Sequence, residues 1–524
     1  MTRTLDLSRS WRQFLPAAPT PLPGELLQLR LPATDLAPLA AALVTTHGAQ
    51  LLSLLASDQR PENGHFWLHA PLHFPSWRQT LVLEAALDDD LHYPALSPLL
   101  ASANWYEREI HDLYGIVPVG LQLDPLVLHR DWPRTLHPLR RDFDPATRVP
   151  PAEVPHVFDF HEPVGSHHVA VGPIHAGIIE PGHLRFCVTG EQIHGFSAQL
   201  FYTHKGLEKM AEGQDLTAGL ALAENTCGQC AFSHSVAYSQ ALESLAGLVL
   251  PPRALALRTL GLELERLANH AADLAAMASA GGFGFASVHM AEIREQQMRL
   301  NRQLSGHRFF RGWNGPGGLK RDVEPGLLAD LGRKLQTLEA RVLDWQRLVS
   351  ESSGFLDRVE ATGSLSREQV LALGLVGVAA RASGIGRDVR LDRPYAAYAH
   401  YPPAIALRNY GDARARLDVR LAEMQISFRL LAGLLAELPT GPVALPLPPD
   451  LPSGVPALGV VESSRGELVH WLMLDQQRIA RWHVRAPGYL NWRGVAAATG
   501  GSNIVPDGPL INKSFNLCYA CVDR

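Results

Sequence analysis

Hydrophobic positions follow two different rhythms along this chain. In residues 1–160, apolar runs of strand length, Leu27–Arg30 and Gln79–Ala86, are interspersed with stretches of helical spacing, Leu36–Val44 and Trp105–Leu113. That mixture predicts a compact α+β unit. In residues 161–524, Val169–Val171 and Leu184–Val188 are β-rich and Gly190 marks a turn, so a small sheet opens the second domain. Long helical patterns follow. Arg253–Ala276 places Leu257, Leu260, Leu264, Leu267 and Ala271 on one face, and Leu327–Ser350 and Ala413–Leu438 behave alike. The predicted fold class is therefore α+β: an N-terminal α/β module, then a mainly helical bundle with a small sheet at its beginning. Four prolines between Pro150 and Pro163 read as a linker. From Trp482 to Arg524 helical periodicity fades, glycines stand at 488, 494, 500, 501 and 508, and the expectation is strands and loops.

Composition narrows the function classes. At 524 residues, 46% hydrophobic and 19% charged, the chain has what it needs to bury large cores. A formal net charge of −5 gives no electrostatic reason to expect nucleic acid as a partner. The start, Met1-Thr-Arg-Thr-Leu-Asp-Leu-Ser-Arg, lacks the apolar core of a signal peptide. No apolar run is long enough and free enough of charge or breakers to span a bilayer. Even Leu438–Leu451 is interrupted repeatedly by proline.

Four of the five cysteines stand in two Cys-x-x-Cys pairs, Cys227-Gly-Gln-Cys230 and Cys518-Tyr-Ala-Cys521, leaving only Cys187. This pattern points to metal or redox chemistry in a reducing compartment and not to a secreted disulfide framework. Thiolates are soft anionic ligands, and four together would hold a soft or borderline metal. The wide separation of the pairs argues against a local zinc ribbon but leaves open a long-range zinc site, a redox dithiol, or buried cysteines with no metal. Gly228 lets the first loop wrap tightly. His234 follows Cys230 by about one helical turn, so its imidazole can point back at the sulfurs.

Taken together, the pairs and their flanks resemble the large subunit of nickel–iron hydrogenases. Phe201-Tyr-Thr-His-Lys-Gly-Leu-Glu208 is similar to the Arg-Gly-x-Glu signature of that family, with Lys205 in place of arginine. Glu462-Ser-Ser-Arg465-Gly-Glu-Leu-Val-His470 resembles the segment that sets an arginine over the metals. Gly172-Pro-Ile-His175, Glu180-Pro-Gly-His-Leu-Arg-Phe and Trp313-Asn-Gly-Pro-Gly-Gly-Leu-Lys-Arg-Asp322 are similar to the group 4, complex-I-like branch. Trp105-Tyr-Glu-Arg-Glu-Ile-His-Asp-Leu-Tyr-Gly115 and His137-Pro-Leu-Arg-Arg-Asp-Phe143 look like the 30-kDa subunit of respiratory complex I. A fusion of the two resembles the large subunits of formate hydrogenlyase-type hydrogenases, hydrogenase-3 and hydrogenase-4.

The resemblance implies the rest. Cys227 and Cys518 would be terminal nickel ligands, and Cys230 and Cys521 would bridge nickel and iron. Iron would carry carbon monoxide and cyanide, with magnesium as a further candidate cation. Arg465 would hold its guanidinium beside the open position, Glu208 would pass protons to and from Cys518 from a site of raised proton affinity, and His234 would orient the cluster. The plainer roles are an Arg465 salt bridge to Glu462 or Glu467 and a surface pairing of Glu208 with Lys205 or Lys209. The reaction would be the interconversion of H2 with protons and electrons. Electrons would leave through an iron–sulfur small subunit like the cluster-bearing subunit of complex I, docked with membrane-arm subunits on the cytoplasmic side of the membrane. The chain departs from the family pattern at Asn225, where arginine is usual, at Asn516-Leu517, where Asp-Pro is usual, and at Gln229, where an apolar residue is common. Two rivals stand beside this expectation: a complex-I-like electron-transfer subunit, NADH/quinone-type, with His175 near the quinone, and a scaffold holding zinc or nothing.

Overall fold

The computed structural model describes residues 15–153, 165–176 and 179–524. It divides into two units, Met1–His156 and Val157–Arg524. Most of the proline-rich stretch read as a linker, 154–163, lies outside the described residues.

The first unit is built on a six-stranded mixed sheet. Leu26–Arg30 runs parallel to Gln79–Ala86, which pairs antiparallel with His65–Phe74. The helix Ala33–His47 buries Leu36, Ala37, Ala40, Ala41 and Leu43 and stops at Gly48, whose φ of 67° suits a residue without Cβ. The Trp105–Gly115 motif becomes the helix Asn104–Tyr114, and its acids face inward. Glu107 accepts from the backbone N–H groups of Leu96 and Ser97, and Asp112 from those of Leu126, Val127 and Leu128. His137 and Arg140 of the second motif donate to the carbonyls of Asp112 and Tyr114, satisfying the helix's last acceptors. Both motifs thus serve to pin irregular segments onto one helix.

The second unit opens with an antiparallel sheet of His167–Val171, His183–Thr189 and Gln192–Gln199. Its centre is four long helices, Pro252–Ala280, Gly284–Ser305, Pro325–Ser350 and Ala413–Ala436, packed against one another. The leucines of Pro252–Ala280 face the apolar core as their spacing predicts. Its polar face is buried as well, because its polar groups find partners: Arg258 meets Glu243 at 2.6 Å, His270 meets Glu423 at 2.8 Å, Asp273 meets Arg420 at 3.0 Å, and Glu265 accepts from the N–H groups of Phe232 and Ser233.

Two elements differ from the sequence expectation. An antiparallel meander, Ala457–Ser463, Gly466–Asp475 and Arg478–Arg485, lies behind the helix Ala231–Leu245. Both its faces are buried, and buried Glu462, His470, Arg481, His483 and Arg485 interrupt its apolar run, so no alternation betrays it. The tail beyond it is not strands and loops but three helices, Pro487–Thr499, Asp507–Phe515 and Tyr519–Asp523. Three of its glycines, Gly488, Gly494 and Gly508, are there for close packing, while Gly501, with φ 85° and nothing near its Cβ position, makes a turn. A Cβ on Gly494 would come within 2.5 Å of Leu375, and one on Gly508 within 2.7 Å of Phe186.

Candidate metal centre

The two Cys-x-x-Cys pairs meet. The ligand atoms of Cys227, Cys230, Cys518 and Cys521 all lie within 4.8 Å of one another, and none of these cysteines is in a disulfide. Cys518 is half-buried and the other three are buried. Cys230 is the N-cap of the helix Ala231–Leu245, so its sulfur sits at the positive end of four turns of aligned peptide dipoles. Four sulfurs this close cannot all ionise without a cation among them. Hydrogen bonds from Cys230, Cys518 and Cys521 hold the Cys227 thiol well below its usual range, and the same sharing pushes Cys230 and Cys521 up.

The segment Phe201–Gly206 fastens the end of the chain to the mid-chain loop. Lys205 Nζ donates to the carbonyls of Thr226, at 2.8 Å, and Ala520, at 3.2 Å, and so ties both cysteine loops together. Asp523 accepts from the N–H groups of Phe201 and Thr203, and His204 Nδ1 donates to the Asp523 carbonyl. Glu180 Oε2 accepts from the N–H of Ala520, between Cys518 and Cys521. Burial raises the proton affinity of Glu180, and the nearby Cys227 adds to the effect.

Arg465 occupies the turn between the first two strands of the meander. Its Nη1 is 3.7 Å from Cys230 Sγ. Its Nη2 donates to Gln229 Oε1 and Asp273 Oδ1, each at 2.9 Å, and its Nε donates to the Asn516 carbonyl. The partner is thus neither Glu462, which pairs with Arg381, nor Glu467, which pairs with Arg485. Burial alone would lower the proton affinity of Arg465, but Asp273 and the sulfurs outweigh it and keep the guanidinium charged. Two of the departures from the family pattern are now legible as contacts: Gln229 accepts from Arg465, and Asn516 Nδ2 donates to Asp273. The turn is held by close backbone approach, since a Cβ on Gly377 would fall 2.2 Å from the Arg465 carbonyl oxygen. Cys230, His234, Arg465, Pro487, Cys518 and Cys521 are among the residues lining a small cavity at this point.

His234 points at the second pair, with Nε2 3.5 Å from Cys521 Sγ and Nδ1 3.0 Å from His470 Nε2. Burial pushes its pKa down to about 4. Glu208 requires a correction. Its carboxylate is gripped by Arg481 at 2.8 Å, by Arg524 and His483 at 3.2 Å each, and by the N–H of Val484. Burial pushes its proton affinity up, but those cations prevail and hold it well below the carboxylate range. The proton affinity expected to be raised is instead lowered. Nor does Glu208 take either lysine, since Lys209 pairs with Glu212. His175 donates through Nε2 to the Gly182 carbonyl at 2.7 Å.

Sequence reasoning did not single out Asp273, nor the contact of Glu180 with the second cysteine loop. Glu180 stood inside a recognised motif. Asp273 carries no signal, because its partners Arg420, Arg465 and Asn516 come from distant parts of the chain.

Residues 282–452 and 449–524 match the family described as respiratory-chain NADH dehydrogenase, 49 Kd subunit, and residues 29–149 match its 30 Kd subunit. The chain is 34% identical to hydrogenase-4 component G of Escherichia coli, covering 91% of this chain and 84% of that one. It is 33% identical to formate hydrogenlyase subunit 5 of the same organism, covering 91% and 85%. This chain belongs to the group 4 hydrogenase large-subunit family. NADH-quinone oxidoreductase subunit 4 of Thermus thermophilus is 31% identical over 68% of this hydrogenase-family chain and 93% of its own. A chain in the solved structure of the membrane-bound sulfane sulfur reductase, an archaeal respiratory membrane complex, aligns with a TM-score of 0.65 at 26% identity, covering 69% of this chain and all of that one. No helix among the described residues is long and apolar enough to cross a membrane.

Proposed function

We propose that this chain is the catalytic large subunit of a membrane-associated nickel–iron hydrogenase. One observation carries the proposal: four sulfurs remote in sequence converge within 4.8 Å, with the Arg465 guanidinium 3.7 Å from one of them. The donor set fits a nickel–iron pair. All four ligands are soft, three of them are buried, and the fixed cation beside them offsets the charge of an anionic thiolate cluster.

Cys227, Cys230, Cys518 and Cys521 would hold the metal pair, Cys227 and Cys518 on nickel and Cys230 and Cys521 serving both metals, with carbon monoxide and cyanide as the iron's other ligands. That centre, when bound, supplies the two-electron chemistry that interconverts H2 with protons. The chain's own residues do the rest. Lys205 fixes the spacing of the two cysteine loops. Asp273, Gln229 and the Asn516 carbonyl aim Arg465 at the sulfurs without letting it swing. Glu180, whose Oε2 accepts from the Ala520 N–H, steadies the second cysteine loop. His234 orients Cys521.

With four cysteines in the centre, only Cys187 is left, which is no ligand set for an iron–sulfur cluster. Electrons therefore pass to a partner subunit that carries one, and the pair docks peripherally on membrane-arm subunits at the cytoplasmic face. Support comes from relatives named as subunits of larger enzymes and from the respiratory membrane complex whose chain shares this fold. Replacing Cys518 by serine tests the assignment. H2/D2O exchange is expected to vanish in Cys518→Ser while residues 29–149 remain folded by limited proteolysis. Unchanged exchange refutes the ligand set.

A further inference from the structure

Behind Cys521 runs a line of three buried rings, of which only His234 has been given a role above. Trp482 Nε1 donates to His470 Nδ1 at 3.2 Å. His470 Nε2 lies 3.0 Å from His234 Nδ1, and His234 Nε2 lies 3.5 Å from Cys521 Sγ. His234 and His470 are 0% exposed, as is Trp482, so no water competes for these contacts. The rings lie on different elements. His234 is on the helix Ala231–Leu245, His470 on the middle strand of the meander, and Trp482 on the last strand, where Leu472 is its cross-strand partner.

An indole nitrogen is a donor only and has no lone pair to offer. Its position therefore fixes every proton in the line. Because Trp482 donates to His470 Nδ1, that nitrogen must carry the lone pair, and the His470 proton sits on Nε2. His470 Nε2 then donates to His234 Nδ1, which in turn must be an acceptor. The His234 proton is left on Nε2, aimed at Cys521 Sγ. Reversing any one bond would set two N–H groups, or two lone pairs, against each other in a dry interior. We infer that Trp482 and His470 are positioning residues that lock His234 in the Nε2–H tautomer, so that it serves Cys521 as a fixed hydrogen-bond donor and not as a proton exit. The line dead-ends at a group that cannot accept, so it conducts no proton to the surface. Its effect is on the sulfur: a permanent N–H···S bond withdraws electron density from the thiolate and so from any metal it binds.

The role of the donor rests on the metal centre proposed above, whereas the tautomer lock does not, and two readouts keep them apart. In the full-length chain labelled with 15N-histidine, with resonances assigned by their loss in His234→Gln and His470→Gln, both rings are expected to show protonated Nε2 and unprotonated Nδ1. Trp482→Phe, which keeps an aromatic ring and removes only the donor, is expected to mix the tautomers of both. In the metal-loaded protein, Trp482→Phe and His470→Leu are expected to move the carbonyl and cyanide infrared bands to lower wavenumber at unchanged nickel content, while His470→Gln, whose amide can donate to His234, restores them. A His234 proton found on Nδ1 in the native chain overturns the inference. So do tautomers and bands that ignore Trp482→Phe. Absence of such bands from the native protein refutes the nickel–iron centre instead, and the nitrogen shifts then decide the lock by themselves.

Discussion

Arg465 shows how one side chain can be specified by several partners. It makes charge-assisted or polar contacts through all three guanidinium nitrogens, to Asn516, Cys230, Gln229 and Asp273. Lysine keeps the charge but offers a single point donor on a flexible stem. Arg465→Lys is therefore expected to retain its metal and lose turnover by roughly 10²–10³-fold, the range seen when one preorganised charge-stabilising donor is removed. Metal analysis beside a hydrogen-evolution assay checks this, and loss of nickel would make the arginine structural. Glu208 sits at the opposite limit, as a buried anion among cations with its proton affinity depressed. Its ionised form is favoured by folding, so its contribution to stability is fully present above the ordinary carboxylate value of 4.5 and is lost as pH falls through the lower folded value. Glu208→Gln is expected to cost about 3–5 kcal/mol at pH 7, because Arg481 and Arg524 lose a buried partner. The same variant should show a flatter decline of stability below pH 4.5 than the native chain. Denaturant midpoints at neutral and acid pH measure both, and parallel curves would contradict the ion pairing.

At the scale of elements, glycine divides what the sequence reveals from what it hides. Gly494 lies inside the helix Pro487–Thr499 with Leu375 Cδ1 2.5 Å from where its Cβ would be, and Leu375 is itself only 2% exposed. Gly494→Ala is expected to destabilise by about 1–3 kcal/mol through overpacking. Gly433, on an exposed turn of Ala413–Ala436, has nothing within 4 Å of that position. Gly433→Ala should stabilise by roughly 0.5–1 kcal/mol, since alanine loses less backbone freedom in a helix. Calorimetric melting of both variants should give shifts of opposite sign. The same physics explains why the tail was misread. Where glycine makes room for a neighbour it looks in sequence like glycine that makes a turn. The long helices were legible because Leu257, Leu260, Leu264 and Leu267 repeat on one stripe. The meander was not, because Arg481, His483 and Arg485 are buried where an alternating strand would have shown polar residues to solvent.

Over the whole molecule, the chemistry was legible wherever a residue type is rare and repeated, and hidden wherever it depends on convergence. The paired cysteines announced a thiol cluster, and their flanks announced the family. Nothing along the chain announced Asp273, the acid that joins Arg465, Arg420 and Asn516, because an aspartate on a helix's polar face ordinarily meets water. Here that face meets other helices, and the buried charges form a continuous set in which Arg381 touches Glu423 at 2.7 Å and Glu462 at 2.8 Å. Such a set resists removal of any one member far more than it adds net stability, so it specifies a single arrangement of the segments that carry the site. The central claim is that this arrangement grips nickel and iron together. Infrared spectroscopy of the purified complex, with metal analysis of the same sample, tests it most directly. Stoichiometric nickel together with sharp bands from metal-bound carbon monoxide and cyanide is the expected result. Zinc in place of nickel, with no such bands, would contradict it.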